Sequence, residues 1–339
     1  MSDRGDGERV ELAHGAGGRA MRSLIESVFL AGVTDREALA MGDGAAIPFG
    51  DRWLVVTTDA HVVSPVFFPG GDIGRLAVSG VVNDLAMMGA CDVRGLTSSV
   101  VVEESFAIAS LRLIHASMQA ACREAGTRIV TGDTKVMRKG ELDGVVLSTS
   151  GIGVTDRVVR DSGLQMGDAI IVTGTIGDHG LAVLGARNAL GLEGDLRSDV
   201  APLNGLVRAA PAAGGAALHA MKDPTRGGVT SALAEMAEKA GVAIVLDEAA
   251  LPMSAPARAA AELLGIDPLT VANEGKALLG VHPSALDRVL AALRAHPLGE
   301  SAACIGRVAE GDKGSLLLDT GFGTRRLFER DGDPLPRIC

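Results

Sequence analysis

The sequence has 339 residues, of which 47% are hydrophobic and 22% charged, with a formal net charge of −10. This length and composition predict a packed globular protein of two domains rather than a disordered chain. The negative charge argues against a broad nucleic-acid-binding surface. Aromatic residues make up 2%, so a nucleotide base, if the protein binds one, is expected to lie against aliphatic side chains.

The N-terminus and the cysteines bear on where the protein works. Residues 1–11 lack the apolar stretch of a signal peptide, and no run of the sequence reaches the ~18 apolar residues of a membrane span. Cys91, Cys122 and Cys304 stand among apolar residues, as buried structural thiols usually do. We therefore expect a cytoplasmic protein that contacts neither membrane nor nucleic acid.

A polar, glycine-rich arm over residues 1–17 precedes the first predicted elements. Hydrophobic periodicity predicts a helix over 18–31 and a strand over 53–58. Asp72 is a suitable N-cap for a helix that ends near Met88. The remaining elements of the first half are predicted as strand, helix, strand and strand, over 95–102, 107–125, 128–132 and 144–153.

A polar segment over 155–167 separates two halves of similar size. The second half opens with a predicted strand over 169–173 and alternates helices and strands to about residue 318. The patterns predict an α+β chain. It divides into a glycine-rich arm and helix over 1–40, an N-terminal domain over 41–155, a C-terminal α+β domain over 165–320 and a tail over 329–339.

Five short motifs place an aspartate beside glycine, threonine or asparagine at a predicted strand end or turn. They lie at 42–45 (GDGA), 57–59 (TTD), 82–84 (VND), 132–135 (GDTK) and 223–228 (DPTRGG). Each alone is usually a cap or a turn. Together they indicate a magnesium site that binds ATP, because Mg²⁺ prefers hard oxygen ligands and shares them with phosphates.

Three further features are candidates for chemistry. The glycines of the segment 14–18 (HGAGG) could bring backbone N–H groups close to phosphate, although a flexible arm fits these residues equally well. Lys135 could neutralise a transferring phosphoryl group, or be a solvated lysine. Glu274 stands in an apolar stretch and could act as a base of raised pKa, or belong to a turn before a strand at Ala277.

The tail ends in Cys339, the last residue of the sequence. Pro334 and Pro336 favour an extended course, so the segment is predicted to be a mobile tail. Eleven residues at about 3.3 Å each reach roughly 36 Å. The thiol could hold an acyl-type group as a thioester or thiocarbamate; the alternative is an accidental exposed thiol, which soluble proteins tend to avoid.

Together these motifs resemble the HypE family of hydrogenase maturation proteins. The resemblance is carried by residues 57–74 (TTDAHVVSPVFFPGGDIG), the Asn83-Asp84 helix, the GDTK, DPTRGG and ANEGK motifs, and most specifically the terminal PRIC. The aspartate motifs alone indicate the wider superfamily of aminoimidazole ribonucleotide synthetase, selenophosphate synthetase and thiamine-monophosphate kinase. The resemblance implies the two-domain fold of that superfamily, with an N-terminal domain that dimerises through its sheet into a barrel and ATP in the cleft near the dimer interface.

The resemblance also implies a reaction, a carbamoyl dehydration. An S-carbamoyl group on Cys339 would be dehydrated to a thiocyanate while ATP is split to ADP and phosphate. The implied partners are a second copy of the chain, the carbamoyltransferase HypF, which supplies the carbamoyl group, and the HypC–HypD complex. That complex would receive the cyanide ligand for the iron of a nickel–iron hydrogenase.

The resemblance assigns roles to individual residues. The implied magnesium ligands are Asp43, Asp59, Asp84 and Asp133. The implied nucleotide-binding residues are His14, Gly15, Gly17, Gly18, Asp43, Asp59, Asn83, Asp133 and Thr134. The implied catalytic residues are Cys339, Glu274 as the base, Lys135 and Asp84. The chain departs from the wider superfamily at Gly44, where a second aspartate often follows the first, so the number of metal ions stays open.

Two other functions stay open. The chain could be a kinase or synthetase of the same superfamily that acts on a free small molecule, or an ATP-dependent assembly partner without catalytic activity. Selenophosphate synthetase fits poorly, because it requires a reactive Cys or selenocysteine near the N-terminal glycines. The small-molecule enzymes leave Cys339 unexplained.

Overall fold

The computed structural model describes residues 9–15, 17–188 and 196–329. Within these ranges the chain forms two α+β halves, each built on its own sheet. Of the predicted tail, Glu329 alone lies in the described part of the chain. Cys339 and its predicted mobility lie outside the described residues.

The first half is built on a five-stranded sheet with the order β1-β2-β7-β5-β6. Its helices are α1 (Arg19–Leu24), which continues as a π-helix (Ile25–Phe29), α2 (Arg36–Ala40), α3 (Ile73–Met87) and α4 (Ile108–Ala125). Its strands are β1 (Ala45–Phe49), β2 (Arg52–His61), β3 (Phe67–Phe68), β4 (Gly71–Asp72), β5 (Asp92–Glu103), β6 (Ile129–Met137) and β7 (Val145–Thr155). The pair β5–β6 is parallel and the other pairs of this sheet are antiparallel.

The second half is built on a seven-stranded sheet with the order β14-β13-β10-β12-β8-β11-β9. Its helices are α5 (Asp178–Arg187), α6 (Asn204–Val207), α7 (Ala209–Gly214), α8 (Gly228–Ala240), α9 (Ala255–Leu264) and α10 (Leu286–Arg294). Its strands are β8 (Ala169–Val172), β9 (Leu218–Lys222), β10 (Ala243–Asp247), β11 (Leu278–Val281), β12 (Ala303–Ala309), β13 (Leu316–Asp319) and β14 (Thr324–Leu327). The pair β10–β13 is parallel and the other pairs are antiparallel.

The sequence predicted the principal elements of the first half. The predicted helix over 72–88 is confirmed as α3, and the Asp72 carboxylate accepts hydrogen bonds from the amides of Gly74 and Arg75, as an N-cap does. The predicted helix over 18–31 is confirmed, except that it ends in a π-helical turn. Strand β1 was not predicted, because Pro48 stands within its short run.

Helix α3 lies at the centre of the molecule. Thirteen of its fifteen residues are buried, so it is apolar on nearly every side, which is typical of a helix enclosed by other elements. It contacts β2, β7 and α4 of the first half and α6 and β9 of the second. Both halves therefore pack on the same helix.

The hydrophobic core continues from one half into the other. One cluster joins Val81 and Leu85 of α3 to Leu181 of α5 and to Val271. A second cluster joins Met87 and Cys91 to the side of the second sheet covered by α6, α7 and α10. Apolar burial is the main driving force for folding, so these clusters hold the two halves together.

The three described cysteines match their predicted structural role in part. Cys91 and Cys122 are buried, while Cys304 is partly exposed. Burial raises the pKa of the Cys91 thiol to about 11, so the thiol stays protonated and unreactive at neutral pH. No helix of the described residues combines the length and the apolar character needed to cross a bilayer.

Replacing Gly151 with alanine is expected to destabilise the contact between β7 and α3. An added Cβ would lie 2.4 Å from Val81 Cγ1 and 2.9 Å from Leu85 Cδ1. Overpacking of this kind lowers the free energy of unfolding by about 1–3 kcal/mol, which urea denaturation would measure. Gly323→Ala is the matched control, because an added Cβ there meets nothing within 4 Å. Equal stability of the two variants would contradict this account of α3 packing.

Candidate active site

A cleft of about 470 Å³ opens between the two halves. Residues of the N-terminal arm and α1, the loop before β1, strand β2, helix α3, the end of β9 and the first turns of α8 form its walls. Four of its lining residues are aspartates, namely Asp43, Asp59, Asp84 and Asp223. The cleft is therefore the place where four of the five predicted aspartate motifs come together.

Each carboxylate reaches the cleft from a different element. Asp43 lies just before β1, Asp59 on β2, Asp84 on α3 and Asp223 directly after β9. The hydroxyl of Thr57 ties two of these elements together, because its Oγ1 lies 2.8 Å from Asp84 Oδ2 and 2.9 Å from the carbonyl oxygen of Asp43. The fold thus brings the predicted residues Asp43, Asp59 and Asp84 to one site.

Two carboxylates of this cluster, those of Asp84 and Asp223, resist ionisation. Burial raises the pKa of Asp84 well above its ordinary value, and the charges of Asp59, Asp223 and Asp43 raise it further. Burial and the charges of Asp43 and Asp59 raise the pKa of Asp223 to about 8, against the opposing effect of Lys222. Like charges this close favour a shared proton or a bound cation.

The cluster fits a magnesium ion. Asp223 Oδ2 is buried and has no hydrogen-bond partner among the described residues, so it is a free acceptor in acidic surroundings. Within the same residues, no three His, Cys, Asp or Glu side chains are already arranged around a metal position. In nucleotide sites Mg²⁺ takes one or two carboxylates and completes its shell with phosphate and water.

A network of two lysines and three acids closes one side of the cleft. Lys222 Nζ donates a hydrogen bond to Asp43 Oδ1 and lies 3.6 Å from Glu235 Oε2. Lys239 Nζ lies 2.6 Å from Asp161 Oδ2 and 2.8 Å from Glu235 Oε1. Burial lowers the pKa of Lys222, but the carboxylates of Asp43, Glu235 and Asp161 together raise it well above its ordinary value. Lys222 is therefore a lasting positive charge beside the acidic cluster.

Lys222 was not among the site residues predicted from the sequence. One feature of the sequence could have indicated it: Lys222 is the charged residue that ends strand β9, directly before the DPTRGG motif. Arg226 was also missed, although it lies within that motif and lines the cleft.

The DPTRGG motif builds the N-terminus of α8. Gly227 is the N-cap with a φ of 76°, and no side chain caps the helix. At Gly228 an added Cβ would lie 2.5 Å from the carbonyl oxygen of Val271, so the turn requires glycine. Since Thr225, Arg226 and Ser231 line the cleft, the uncapped N–H groups of α8 stand beside it and favour an anion.

The predicted glycine-rich segment contributes to the cleft in part. Gly17 and Gly18 line it. His14 does not line the cleft. Its Nδ1 accepts a hydrogen bond from the amide of Glu11 at 2.9 Å. Gly15 also lies outside the cleft lining. The nucleotide-binding role given to these residues stays a prediction.

Glu274 is almost fully buried, with 2% of its surface exposed. Burial raises its pKa well above the ordinary value, and the charges of Asp223, Asp199 and Asp59 add to this, while Arg226 opposes it. Its Oε1 is buried and has no hydrogen-bond partner among the described residues. The burial and the raised pKa agree with the expectation for Glu274, whereas its surroundings include charged side chains rather than apolar ones alone. Its catalytic role stays a prediction.

The structure does not bring Asp133, Thr134 or Lys135 to the cleft of the same chain. All three lie on the exposed edge strand β6. In the sheet register, Gly132 pairs with Ser98, Ser98 with Thr149 and Thr149 with Asp59. Three steps between strands amount to about 14 Å, which is too far for a metal ligand shared with Asp59.

The side chain of Asn83 bonds to the second half of the molecule and does not line the cleft. Its side chain is buried and bonds to Ala201, Leu203 and Glu274 of the second half. It therefore links the two halves of the molecule, and the predicted contact with nucleotide has no support in these contacts.

Comparison with known proteins identifies the family. The family models named AIR synthase related protein, N-terminal domain and C-terminal domain, match residues 41–155 and 165–319. The chain is 48% identical to a carbamoyl dehydratase HypE from Rhizobium leguminosarum bv. viciae over 98% of its own length and 95% of the relative. The chain belongs to the HypE family.

Solved HypE structures show the same fold. A HypE in complex with ATP has a TM-score of 0.82 and 38% identity, with 97% of this chain and 99% of the other covered. The crystal structure of a HypE–HypF complex contains a chain with a TM-score of 0.85 and 41% identity, with 91% of this chain and 100% of the other covered. The predicted two-domain fold of the aminoimidazole ribonucleotide synthetase superfamily is thereby confirmed.

The raised pKa of Asp223 predicts how stability depends on pH when nucleotide and divalent cations are removed. The folded pKa of about 8 lies above the unfolded value, so the folded state binds the extra proton. The resulting stability is fully present below about pH 4, falls as the pH rises, and is lost above about pH 8. Asp223→Asn should flatten this slope and stabilise the protein at pH 8.5 by at least about 1.4 kcal/mol, the value of one pKa unit.

Denaturant unfolding at several pH values would measure this slope. Asp51→Asn, in the exposed turn between β1 and β2, is the control and should leave the slope unchanged. A slope that is the same for wild type and Asp223→Asn would show that Asp223 does not hold the extra proton.

Proposed function

We propose that this chain is an ATP-dependent carbamoyl dehydratase, which converts an S-carbamoyl group on its own Cys339 into a thiocyanate. The observation that carries the proposal is the burial of Glu274, whose Oε1 has no hydrogen-bond partner among the described residues, in a turn that Asn273 bonds to Pro224, the residue after Asp223 of the cleft. A base of this kind beside a phosphate-binding cleft is what the dehydration of an amide requires. The relatives named carbamoyl dehydratase, alike over nearly the whole length, support the same function.

ATP is the proposed co-substrate, and Mg²⁺ the proposed cofactor. One or two carboxylates from the set Asp43, Asp59, Asp84 and Asp223 would ligate the metal directly, and the metal would supply positive charge to the phosphates. The uncapped N-terminus of α8 and the backbone of Gly17 and Gly18 face the same cleft and suit phosphate oxygens. The HypE whose structure contains ATP supports this proposal.

The proposed chemistry removes one water from the carbamoyl group. The carboxamide oxygen attacks the γ-phosphorus of ATP, which releases ADP and leaves an imidate phosphate. The C–O bond then breaks, phosphate departs with the oxygen, and the nitrogen loses both of its protons as the C≡N bond forms. The sum is carbamoyl thioester plus ATP giving thiocyanate, ADP, phosphate and one proton.

Glu274 would accept a proton from the carboxamide nitrogen. Its raised pKa makes the ionised form a stronger proton acceptor than an ordinary glutamate. Its burial excludes water, which would otherwise compete for the activated oxygen. Lys222 and Arg226, which line the cleft, would stabilise the negative charge that moves between the phosphates and the leaving oxygen.

The described end of the chain lies at this cleft. Glu329 lines it and forms an ion pair of 2.5 Å with Arg22 of α1. Ten residues then follow to Cys339, which at about 3.3 Å each span at most about 33 Å. Covalent geometry therefore allows the thiol to reach the cleft of the same chain.

A homodimer is the proposed assembly. Strand β6 is the edge of the first sheet, and seven of its nine residues are exposed, with Val130 and Val136 more than half exposed. An uncovered apolar edge strand invites pairing with another chain. Pairing there would also bury Asp133 and Lys135, so Lys135 of the partner subunit is a candidate to complete the cleft.

HypF and the HypC–HypD complex are the proposed partners. The structure of a HypE–HypF complex supports HypF as the donor of the carbamoyl group. A thiocyanate on a thiol needs an acceptor for its cyanide, and HypC–HypD, acting for nickel–iron hydrogenase, is the one proposed. A reaction that depends on ATP and a free thiol suits the reducing cytoplasm.

Glu274→Gln is expected to abolish the dehydration without abolishing ATP binding. The amide keeps the shape of the side chain but cannot accept the proton, so the rate should fall at least about 100-fold, as for general bases. Intact mass of Cys339-carbamoylated protein, prepared with HypF and then freed of it, would be followed after addition of MgATP. Wild type should lose the mass of one water.

Glu262→Gln, on the exposed face of α9, is the matched control and should react like wild type. Retention of the carbamoyl mass in the wild type, together with ATP turnover on a free compound, would favour the small-molecule kinase or synthetase instead. ATP binding with no turnover at all would favour the assembly partner.

Val136→Asp is expected to give a monomer of low activity, because it places a charge on the edge of β6. Light scattering coupled to gel filtration would measure the mass, and the mass assay above would measure the dehydration. Leu263→Asp, at an equally exposed apolar residue of α9, should remain dimeric and active. A dimer that survives Val136→Asp would place the interface elsewhere.

A further inference from the structure

Two neighbouring residues of α3 serve different sites. Asp84 lines the cleft, whereas the side chain of Asn83 leaves α3 toward the second half, where it is 2% exposed. A buried amide must satisfy its donors and acceptor within the protein. The partners of Asn83 therefore show what the residue holds in place.

Asn83 makes three hydrogen bonds, all to backbone atoms of the second half. Its Nδ2 donates to the carbonyl oxygens of Ala201 and Glu274, each at 3.2 Å, and its Oδ1 accepts from the amide of Leu203 at 2.7 Å. One side chain thus joins helix α3 to two loops. One of these loops carries the proposed base.

The backbone of Glu274 is held from other directions as well. Its amide donates to Asp199 Oδ1 at 3.1 Å, and its carbonyl oxygen accepts from the amide of Ala201 at 3.4 Å. The preceding Asn273 is tied to the carbonyl oxygen of Pro224 and to the amide of Gly177. The turn is therefore bonded to α3, to the segment 199–201, to Pro224 and to Gly177.

The carboxylate of Glu274 lacks such anchors at one of its oxygens. Oε1 is buried and has no hydrogen-bond partner in the described part of the chain. The direction of this side chain therefore depends on where its backbone is held. Among the described residues, the bond from Asn83 is the one that joins the backbone of Glu274 to α3. Helix α3 also carries Asp84, which lines the cleft.

We propose that Asn83 is a positioning residue, which fixes the Glu274 turn against α3 so that the base keeps a constant place relative to the Asp84 side of the cleft. The proposal rests on the proposed function, because it takes Glu274 as the base. It assigns Asn83 no contact with nucleotide. Loss of the bond should leave ATP binding nearly unchanged and slow the chemical step, since a displacement of about 1 Å can reduce a rate about 100-fold.

A double-mutant cycle tests the proposal. The single-turnover rate of dehydration would be measured on carbamoylated full-length protein for wild type, Asn83→Ala, Glu274→Gln and the double variant. Asn83→Ala should reduce the rate about 10- to 100-fold, with the Kd for ATP changed less than about threefold. If Asn83 acts through Glu274, adding Asn83→Ala to Glu274→Gln should reduce the residual rate less than about twofold, because coupled residues are not additive.

Asn204→Ala is the matched control. Asn204 is also a buried asparagine that joins the two halves, through bonds to the carbonyl oxygens of Cys91 and Ala125, but it has no bond to the Glu274 turn among these contacts. Its loss should change the rate less than about threefold and add fully in the Glu274→Gln background. If Asn83→Ala does not fold, Asn83→Asp, which keeps an acceptor for Leu203, takes its place in the cycle.

Three outcomes separate the proposal from the function on which it rests. Non-additivity of the Asn83 and Glu274 variants with unchanged ATP affinity supports the proposal. Full additivity, or a loss of ATP affinity that accounts for the lower rate, overturns it while the dehydratase function stands. A Glu274→Gln protein as fast as wild type overturns both the role of Glu274 and the role of Asn83.

Discussion

The burial of α3 between two sheets is the constraint on which the rest of the structure depends. A helix with apolar residues on nearly every side cannot stay at the surface of a domain, so neither half is complete without the other. The few polar residues that α3 carries must then be satisfied inside the molecule. Asp84 lines the cleft, and Asn83 bonds to the loops of the second half that carry Leu203 and Glu274. The packing of α3 therefore also sets the geometry of the site.

The acidic cluster, unlike the buried helix α3, lowers the stability of the fold. Carboxylates crowded in a buried place work against folding, since each is deprived of water and repelled by the others. Proteins keep such arrangements where function requires them. Here Lys222 offsets part of the repulsion through its ion pair with Asp43, and the proposed magnesium ion would offset more of it.

Local sequence patterns predicted much of the fold and part of the site. The N-cap at Asp72 and the apolar helix after it are local signals, and α3 follows them. Asp43, Asp59 and Asp84 line one cleft, because Asp84 lies on α3, Asp59 lies on β2, which packs on α3, and Thr57 of β2 bonds to both Asp43 and Asp84. Asp133 and Lys135 do not meet them, because the order of strands in a sheet depends on long-range pairing that no local motif records. The partners of Asn83 and Lys222 were beyond prediction for the same reason.

The ion pair between Glu329 and Arg22 holds Glu329 at the cleft, and this determines how far Cys339 can lie from the site of reaction. Whatever course residues 330–339 take, their covalent length keeps Cys339 within about 33 Å of the cleft rim. A reactive group confined to such a volume has an effective concentration on the order of millimolar. A free carbamoyl compound would need a similar concentration to compete. The covalent link between Cys339 and the cleft then decides which carbamoyl group reacts. The cleft itself has little need to distinguish the tethered group from free carbamoyl compounds by binding.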